Sequence, residues 1–221
     1  MKMVVFDMAG TTINESNIVY KTLHKLINDA GFAVSYPKVL ANAAGKEKLT
    51  AIKDCILTVE ENIDEQQLKN IYQLFLDALA DAYEHSKIEP QPGAEDVFTA
   101  LRNAGILVVL NTGYNESTAL GIIQKLGWKA GLQFDALITA GNVKNNRPAP
   151  DMIMLAMQKY AITDPAEVIK VGDSVIDIEE GKNAGCGITV GITTGAHTSE
   201  QLASANPDHI IDHLTELLPL I

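Results

Sequence analysis

Hydrophobic residues along this chain follow two periods. Short continuous apolar runs, mostly β-branched, recur at 3–6, 106–110, 136–139, 168–171, 188–190 and 210–211, and predict strands. Between them, apolar residues spaced three and four apart predict helices with recognisable ends. Pro92 and Gly93 open one that turns Val97, Phe98 and Leu101 inward and closes at Gly105. Asn115 caps another, with Ala119, Ile123 and Leu126 inward and Gly127 closing it. Asp164 with Glu167, and Thr198 with Gln201, have capping-box spacing. Strand and helix in alternation predict an α/β fold, a parallel sheet covered by helices on both faces.

The alternation lapses from about Asn14 to Ser86, where the periodicity is helical throughout. Val19, Leu23, Leu26, Ile27 and Ala30 share one face, and Leu49, Ile52, Ile56 and Val59 share the next. A third helix starts at Asp64, with Gln67 at the box position, and buries Leu68, Ile71, Tyr72, Phe75 and Leu79. The pattern predicts an all-helical domain at 15–86 inserted into a core of 1–14 and 87–221. An insert between the first and second strands rises over the carboxyl ends of the strands, where open α/β sheets bind ligands. It is therefore read as a lid over chemistry.

Composition narrows the setting. With 221 residues, 47% of them hydrophobic, the chain can bury a substantial core and suits one large domain or a domain plus a small insert. A net charge of -11 argues against nucleic-acid and membrane partners, both of which call for basic patches. Cys55 and Cys186 stand far apart without pairing motifs, which fits reduced, buried thiols. No charged leader precedes Met3, and no apolar run reaches the roughly 18 residues of a membrane span. The expectation is a cytoplasmic protein. His24, His85, His197, His209 and His213 lack metal-ligand spacing and are expected at the surface or in packing roles.

Polar residues with catalytic chemistry cluster at the ends of the predicted strands. Asp7 follows the first, Asn111-Thr112-Gly113 the second, and Gly172-Asp173-Ser174 the fourth; Asp177 lies four residues beyond Asp173 at a helix opening. Carboxylates from Asp7, Asp173 and Asp177 with a backbone carbonyl make the oxygen shell that Mg2+ prefers. Arg147 offers a fixed cation for a phosphoryl or phosphonyl oxygen, and Thr112 with the backbone after it offers neutral donors. A Gly-x-Ser-x-Gly elbow is missing, which disfavours a serine hydrolase, and Gly45-Lys46 does not complete a P-loop.

The ordered set Asp7-Met8-Ala9-Gly10-Thr11, Thr112, Arg147, and Gly172-Asp173-Ser174 with Asp177 resembles the four motifs of the haloacid dehalogenase superfamily, over the whole chain. The Asp-x-Ala-Gly-Thr-Thr pattern is similar to its phosphonoacetaldehyde hydrolase (phosphonatase) branch. So are Thr112-Gly113-Tyr114, Arg147-Pro148-Ala149-Pro150 and the run from Lys170 to Gly185. The resemblance implies a Rossmann-like core with a helical cap of the first type (C1), a phosphoaspartate on Asp7, and one Mg2+ held by Asp7, the Ala9 carbonyl, Asp173 and Asp177. It also implies phosphonyl binding by Thr112, Gly113 and Arg147, a pocket lined by Tyr114, and in some members a homodimer through the cap.

The branch uses a cap lysine in a Gly-x-x-Lys pattern to form a Schiff base with an aldehyde, and Lys48 in Gly45-Lys46-Glu47-Lys48 falls on that position. Three readings of Lys48 stand side by side: a Schiff-base amine, a substrate-binding cation, and a solvated charge. Lys46 is read as solvated. Ala9 occupies the place of the second aspartate that in phosphate-ester hydrolases protonates the departing alkoxide. A Schiff base on Lys48 would explain this, since the leaving group becomes an enamine and no alkoxide forms. Ala51 stands where the branch carries a cap histidine, and Asn17 near where it carries a cysteine. The sequence thus points to a small organophosphorus substrate and a phosphonatase-like activity. The alternatives are a phosphomonoester phosphatase short of its general acid, and a phosphate- or phosphonate-binding protein without turnover.

Overall fold

A computed structural model describes residues 1–221. Its strands are β1 (Met3–Phe6), β2 (Ile13–Asn14), β3 (Glu89–Pro90), β4 (Leu107–Thr112), β5 (Ala136–Thr139), β6 (Val168–Gly172), β7 (Ile188–Ile192) and β8 (His209–Ile211). Six of them form one sheet in the order β5-β4-β1-β6-β7-β8, with every neighbouring pair parallel. β1 is central, pairing Phe6 with Leu110 on one side and Val171 on the other. The α/β expectation therefore holds: this is a Rossmann-like parallel sheet flanked by helices.

Continuous apolar runs make sense here because both faces of the sheet are buried. The helices are α1 (Ile18–Asp29), α2 (Tyr36–Ala43), α3 (Lys48–Ile56), α4 (Glu65–His85), α5 (Ala94–Asn103), α6 (Glu116–Leu126), α7 (Asp151–Lys159), α8 (Val175–Ala184) and α9 (Ser199–Ala203). Met3 and Val5 face one side with Val109, Ile138 and Val168, against Met152, Ile153 and Ala156 of α7. Val4 and Phe6 face the other with Val108, Leu110, Ile169 and Val171. There the Phe6 ring meets Phe98 of α5 edge-on at 5.4 Å, and Phe98 meets Trp128 at 5.3 Å. Each such ring gives about 1.5–3 kcal/mol by leaving water.

The capping signals of α5, α6 and α9 hold. Gly93 enters α5 at φ 79°, the Asn115 side chain accepts from Thr118 N, Gly127 ends α6 at φ 70°, and Thr198 and Gln201 complete their box. The Asp164 signal opens only a 3-10 turn, Pro165–Glu167, because the β-branched run at Val168 takes the chain straight into β6. β4, β6 and β7 run two, one and two residues past their apolar signatures, since the ladder continues through Thr112 paired with Thr139 and Gly172 paired with Gly191.

The chain leaves the sheet through β2 and returns through β3. The two pair antiparallel, Ile13 with Pro90 and Asn14 with Glu89, in a segment the hydrophobic pattern had left without strands. Between them lie four helices rather than three. α2 escaped the pattern because its eight residues bury only Val39 and Ala43, and Pro37 sits in its first turn. Val19, Leu23 and Ile27 are buried as expected, but Leu26 and Ala30 are half-buried, and Val59 is exposed because α3 ends at Ile56. The loop before α3 lies against the carboxyl ends of the strands. A methyl group on Gly113, just past β4, would come within 2.5 Å of Lys46 O. No helix is long and apolar enough to cross a membrane.

Candidate active site

Asp7 emerges from β1 into a tight turn in which Met8 O accepts from the amides of Thr11, Thr12 and Ile13. Gly10, at φ +85°, allows that turn to pass Asp173; a Cβ there would fall 2.5 Å from Asp173 Oδ2. β6 ends beside β1 and delivers Asp173, while the first turn of α8 delivers Asp177. Carboxylate oxygens of Asp7, Asp173 and Asp177 lie within 4.8 Å of one another, all buried.

This density of negative charge in a buried place has electrostatic consequences. Burial first, with the Asp177 charge adding to it and Arg147 opposing, pushes the Asp7 carboxyl up to about 6. Burial, then Asp7 and Asp177, raise Asp173 well above the usual carboxylate range. Burial acts the same way on Asp177, but Arg147 and Lys170 outweigh it and hold that carboxyl low. Asp177 Oδ1 is buried without an aligned hydrogen bond, although Arg147 Nη1 lies at 2.8 Å and Lys170 Nζ at 3.0 Å. Three convergent buried carboxylates fit a hard divalent cation and could hold Mg2+. Thr11 Oγ1 donates to Asp173 Oδ1 at 3.3 Å and Ala196 N to its Oδ2 at 2.6 Å, fixing that carboxylate.

Arg147 is less free than its sequence position suggests. Its Nη1 donates to Asp7 Oδ1 at 2.7 Å, Nε lies 2.9 Å from Glu180 Oε2, and Nη2 donates to Asn111 O at 2.9 Å and also to Asn111 Oδ1. Lys170, in the middle of β6, places Nζ 2.9 Å from Glu180 Oε2 and donates to Asn111 Oδ1 at 2.6 Å. Asn111, Lys170 and Glu180 thus form a buried frame around Arg147; the motifs mark the stretches that carry them, but not that they meet there. A signal existed: a lysine inside the run Val168-Ile169-Lys170-Val171 needs a buried partner.

From the insert, Lys48 opens α3 and is almost fully buried. Glu47 caps the helix by accepting from Leu49 N and Thr50 N, which sets where α3 starts. Lys48 Nζ donates to Lys46 O at 2.7 Å and stands 5.2 Å from the Tyr114 ring centroid and 5.9 Å from that of Tyr20. Burial foremost, with Arg147 adding to it, lowers the Lys48 ammonium below its ordinary value, against the pull of Asp7. Of the three readings of Lys48, the solvated charge is excluded. Lys46 is half-buried and paired with Asp54 at 2.6 Å, which corrects its reading as a solvated residue.

Tyr114 Oη lies 2.6 Å from Tyr83 Oη, which donates to Glu15 Oε2 at 3.3 Å. Thr112 is buried at the end of β4, its Oγ1 accepting from Tyr114 N. Ala9 is half-buried in the turn after Asp7, with Gly113 against the insert loop. The structure therefore brings Asp7, Ala9, Lys48, Thr112, Gly113, Tyr114, Arg147, Asp173 and Asp177 to one end of the sheet and the insert that lies against it. Glu15 and Tyr83, which no motif marked, join them. Burial pushes the thiols of Cys55 and Cys186 up to about 12, consistent with packing roles. His197 Nδ1 accepts from Val175 N and so caps α8.

An aspartate at the end of a central parallel strand, two further aspartates from the neighbouring strand and helix, and a helical insert define a class of hydrolase. A family model for haloacid dehalogenase-like hydrolases matches residues 1–185, and the chain belongs to that family. Two relatives differ in what they are called. The phosphonoacetaldehyde hydrolase of Latilactobacillus sakei subsp. sakei is 28% identical over 255 residues, covering 98% of this chain and 93% of the relative. The phosphoglycolate phosphatase of Agrobacterium fabrum is 27% identical over 219 residues, covering 99% of this chain and 91% of the relative. The crystal structure of a hydrolase from Pseudomonas syringae matches with a TM-score of 0.86 at 17% identity, over 100% of this chain and 97% of that one.

Proposed function

We propose that this hydrolase cleaves the carbon-phosphorus bond of a phosphonoacetaldehyde-like phosphonate, with Asp7 as nucleophile and Lys48 as the amine that captures the aldehyde. The observation that carries this reading is Lys48 itself: a buried lysine aimed from the lid, its charge disfavoured by desolvation, in a site whose ninth residue is alanine. In this reading residues 15–86 are a cap that closes over a core of 1–14 and 87–221.

The neutral Lys48 amine condenses with the aldehyde, takes up one proton and releases water, leaving a protonated imine beta to phosphorus. Asp7 Oδ attacks phosphorus. The carbon-phosphorus bond breaks and its electron pair neutralises the imine as an enamine. Protonation at carbon and hydrolysis then return Lys48 and free the aldehyde, while water hydrolyses the phosphoaspartate to phosphate. Thr112 donates to a phosphonyl oxygen, while Arg147, its N–H groups engaged by Asp7, Asp177, Glu180 and Asn111, fixes the attacking Asp7 carboxylate and adds positive charge beside it. Asp7, the Ala9 carbonyl, Asp173 and Asp177 are the residues that would hold Mg2+, which supplies charge neutralisation at the phosphonyl group.

The name of the Agrobacterium fabrum relative favours a second reading, a phosphomonoester phosphatase in which Lys48 binds the substrate as a cation. Borohydride separates the two. The first reading predicts that substrate plus borohydride adds a reduced adduct at Lys48, found by peptide mass mapping and absent in Lys48→Arg. Turnover of a phosphate monoester with no adduct on Lys48 would support the second.

A further inference from the structure

Two proton-handling groups expected of this site are replaced by alanine. Ala9 stands where an acid would protonate a leaving group, and Ala51, three residues after Lys48, where a cap histidine would stand; Ala51 is fully buried and offers no proton. Yet a proton is still needed: an alkoxide takes one up as it departs, and an enamine takes one up at carbon before its imine can be hydrolysed.

Glu15 is the unused group. It lies just beyond β2, where the chain enters the helical insert, and is 2% exposed. Its Oε2 accepts from Val19 N at 3.0 Å and from Tyr83 Oη at 3.3 Å. Tyr83, on the last turns of α4, lies 2.6 Å from Tyr114, whose ring flanks Lys48. Three elements thus converge in one hydrogen-bonded chain, from the linker through the insert to the core loop that follows Thr112. The groups facing Glu15 are Lys48 from α3, Tyr20 from α1, Tyr36 from α2, and Tyr83 and Tyr114. Burial pushes the Glu15 carboxyl up to about 7, so that near neutral pH it holds a proton and can release it.

We propose that Glu15, acting through Tyr83 and Tyr114, is the positioning residue that supplies the leaving group with its proton in place of the missing groups at positions 9 and 51. When Glu15 is a carboxylate the chain points toward it, Tyr114 donating to Tyr83 and Tyr83 to Glu15. When Glu15 is protonated the direction reverses, and the Tyr114 hydroxyl hydrogen is free for the pocket. One proton passes from Tyr114 to the departing carbon or oxygen, Tyr83 replaces it, and Glu15 replaces that of Tyr83. The carboxylate left behind is reprotonated from solvent when the lid opens. Atoms and charge balance, and both tyrosines end as they began.

The proposal rests on Asp7 being the nucleophile; the phosphonate reading makes the departing atom the enamine carbon on Lys48. The test compares wild type, Glu15→Gln and Tyr83→Phe on phosphonoacetaldehyde, an alkyl phosphate and p-nitrophenyl phosphate, whose leaving group departs as a stable anion. Gln keeps the acceptor for Val19 N and Phe keeps the ring, so two independent variants guard against a folding defect. The expected result is a fall in kcat of about tenfold or more on the substrate with the poor leaving group, relative to any fall with p-nitrophenyl phosphate, at little change in KM. Equal loss on all substrates, or none on any, overturns the role of Glu15. Failure of the phosphonatase reading shows separately: wild type then leaves phosphonoacetaldehyde intact, and the selective loss appears with the alkyl phosphate.

Discussion

Arg147 holds the Asp7 carboxylate by an Nη1 to Oδ1 hydrogen bond of 2.7 Å, and the same nitrogen lies 2.8 Å from Asp177 Oδ1. One guanidinium thus ties the candidate nucleophile to the candidate metal cluster, while Nε and Nη2 anchor it to Glu180 and Asn111. Lysine at this position keeps the charge but cannot span all four partners. Arg147→Lys is expected to lower kcat/KM by about a hundredfold or more. It should also destabilise the protein by about 3 kcal/mol or more, because carboxylates buried with it lose a partner. Kinetics and denaturant unfolding on one preparation check both.

The three-aspartate cluster predicts metal binding linked to pH. With Asp7 pushed up to about 6 and Asp173 also raised well above the usual carboxylate range, the carboxyls must shed protons before a cation binds. Adding Mg2+ should raise Tm more at pH 8 than at pH 5.5, and Asp173→Asn should abolish the rise. Stabilisation of about 2.7 kcal/mol is expected at a hundred times Kd. An equal rise at both pH values, or in Asp173→Asn, would count against the site.

Glu15 carries a stability signature of its own. Its carboxyl is raised from 4.5 to about 7, so the folded protein keeps a proton that the unfolded chain releases in that window. The stability this gives is complete below the unfolded value and is lost as pH rises through about 7. Glu15→Gln does not titrate. Its stability relative to wild type should therefore climb between about pH 4.5 and 7 by about 3 kcal/mol, then level off. Urea titrations at several pH values read this directly, and a flat difference would contradict it.

Gly113 tests the seating of the insert. A Cβ at this position would meet Lys46 O at 2.5 Å, so Gly113→Ala must push the 45–46 backbone, and Lys48 with it, away from the strand ends. The cost in stability should be about 1–3 kcal/mol. The loss in kcat/KM should be larger in proportion, about tenfold to a hundredfold, because alignment across the lid is disturbed. Turnover at the wild-type rate would show that this contact is not part of the closed, active arrangement.

The sheet was legible because both of its faces are buried, so residues such as those of 3–6 and 168–171 are apolar without interruption. β2 and β3 were not, since two-residue strands containing Asn14, Glu89 and Pro90 leave no periodic trace. The motif residues were legible because each follows a strand. The frame of Asn111, Lys170 and Glu180 was hidden because its members lie up to 69 positions apart and meet only through the sheet order. Glu15 was hidden for a related reason: nothing near it in sequence marks it as buried, and its partner Tyr83 is 68 positions away.

Phosphate release from phosphonoacetaldehyde in the presence of Mg2+, measured for wild type, Lys48→Arg and Ala9→Asp beside a panel of phosphate monoesters, decides whether Lys48 works as a Schiff-base amine. Wild type is expected to cleave the phosphonate, Lys48→Arg to abolish this cleavage, and Ala9→Asp to bring no improvement. Monoester hydrolysis that survives Lys48→Arg and rises in Ala9→Asp, with the phosphonate left intact, would contradict that role.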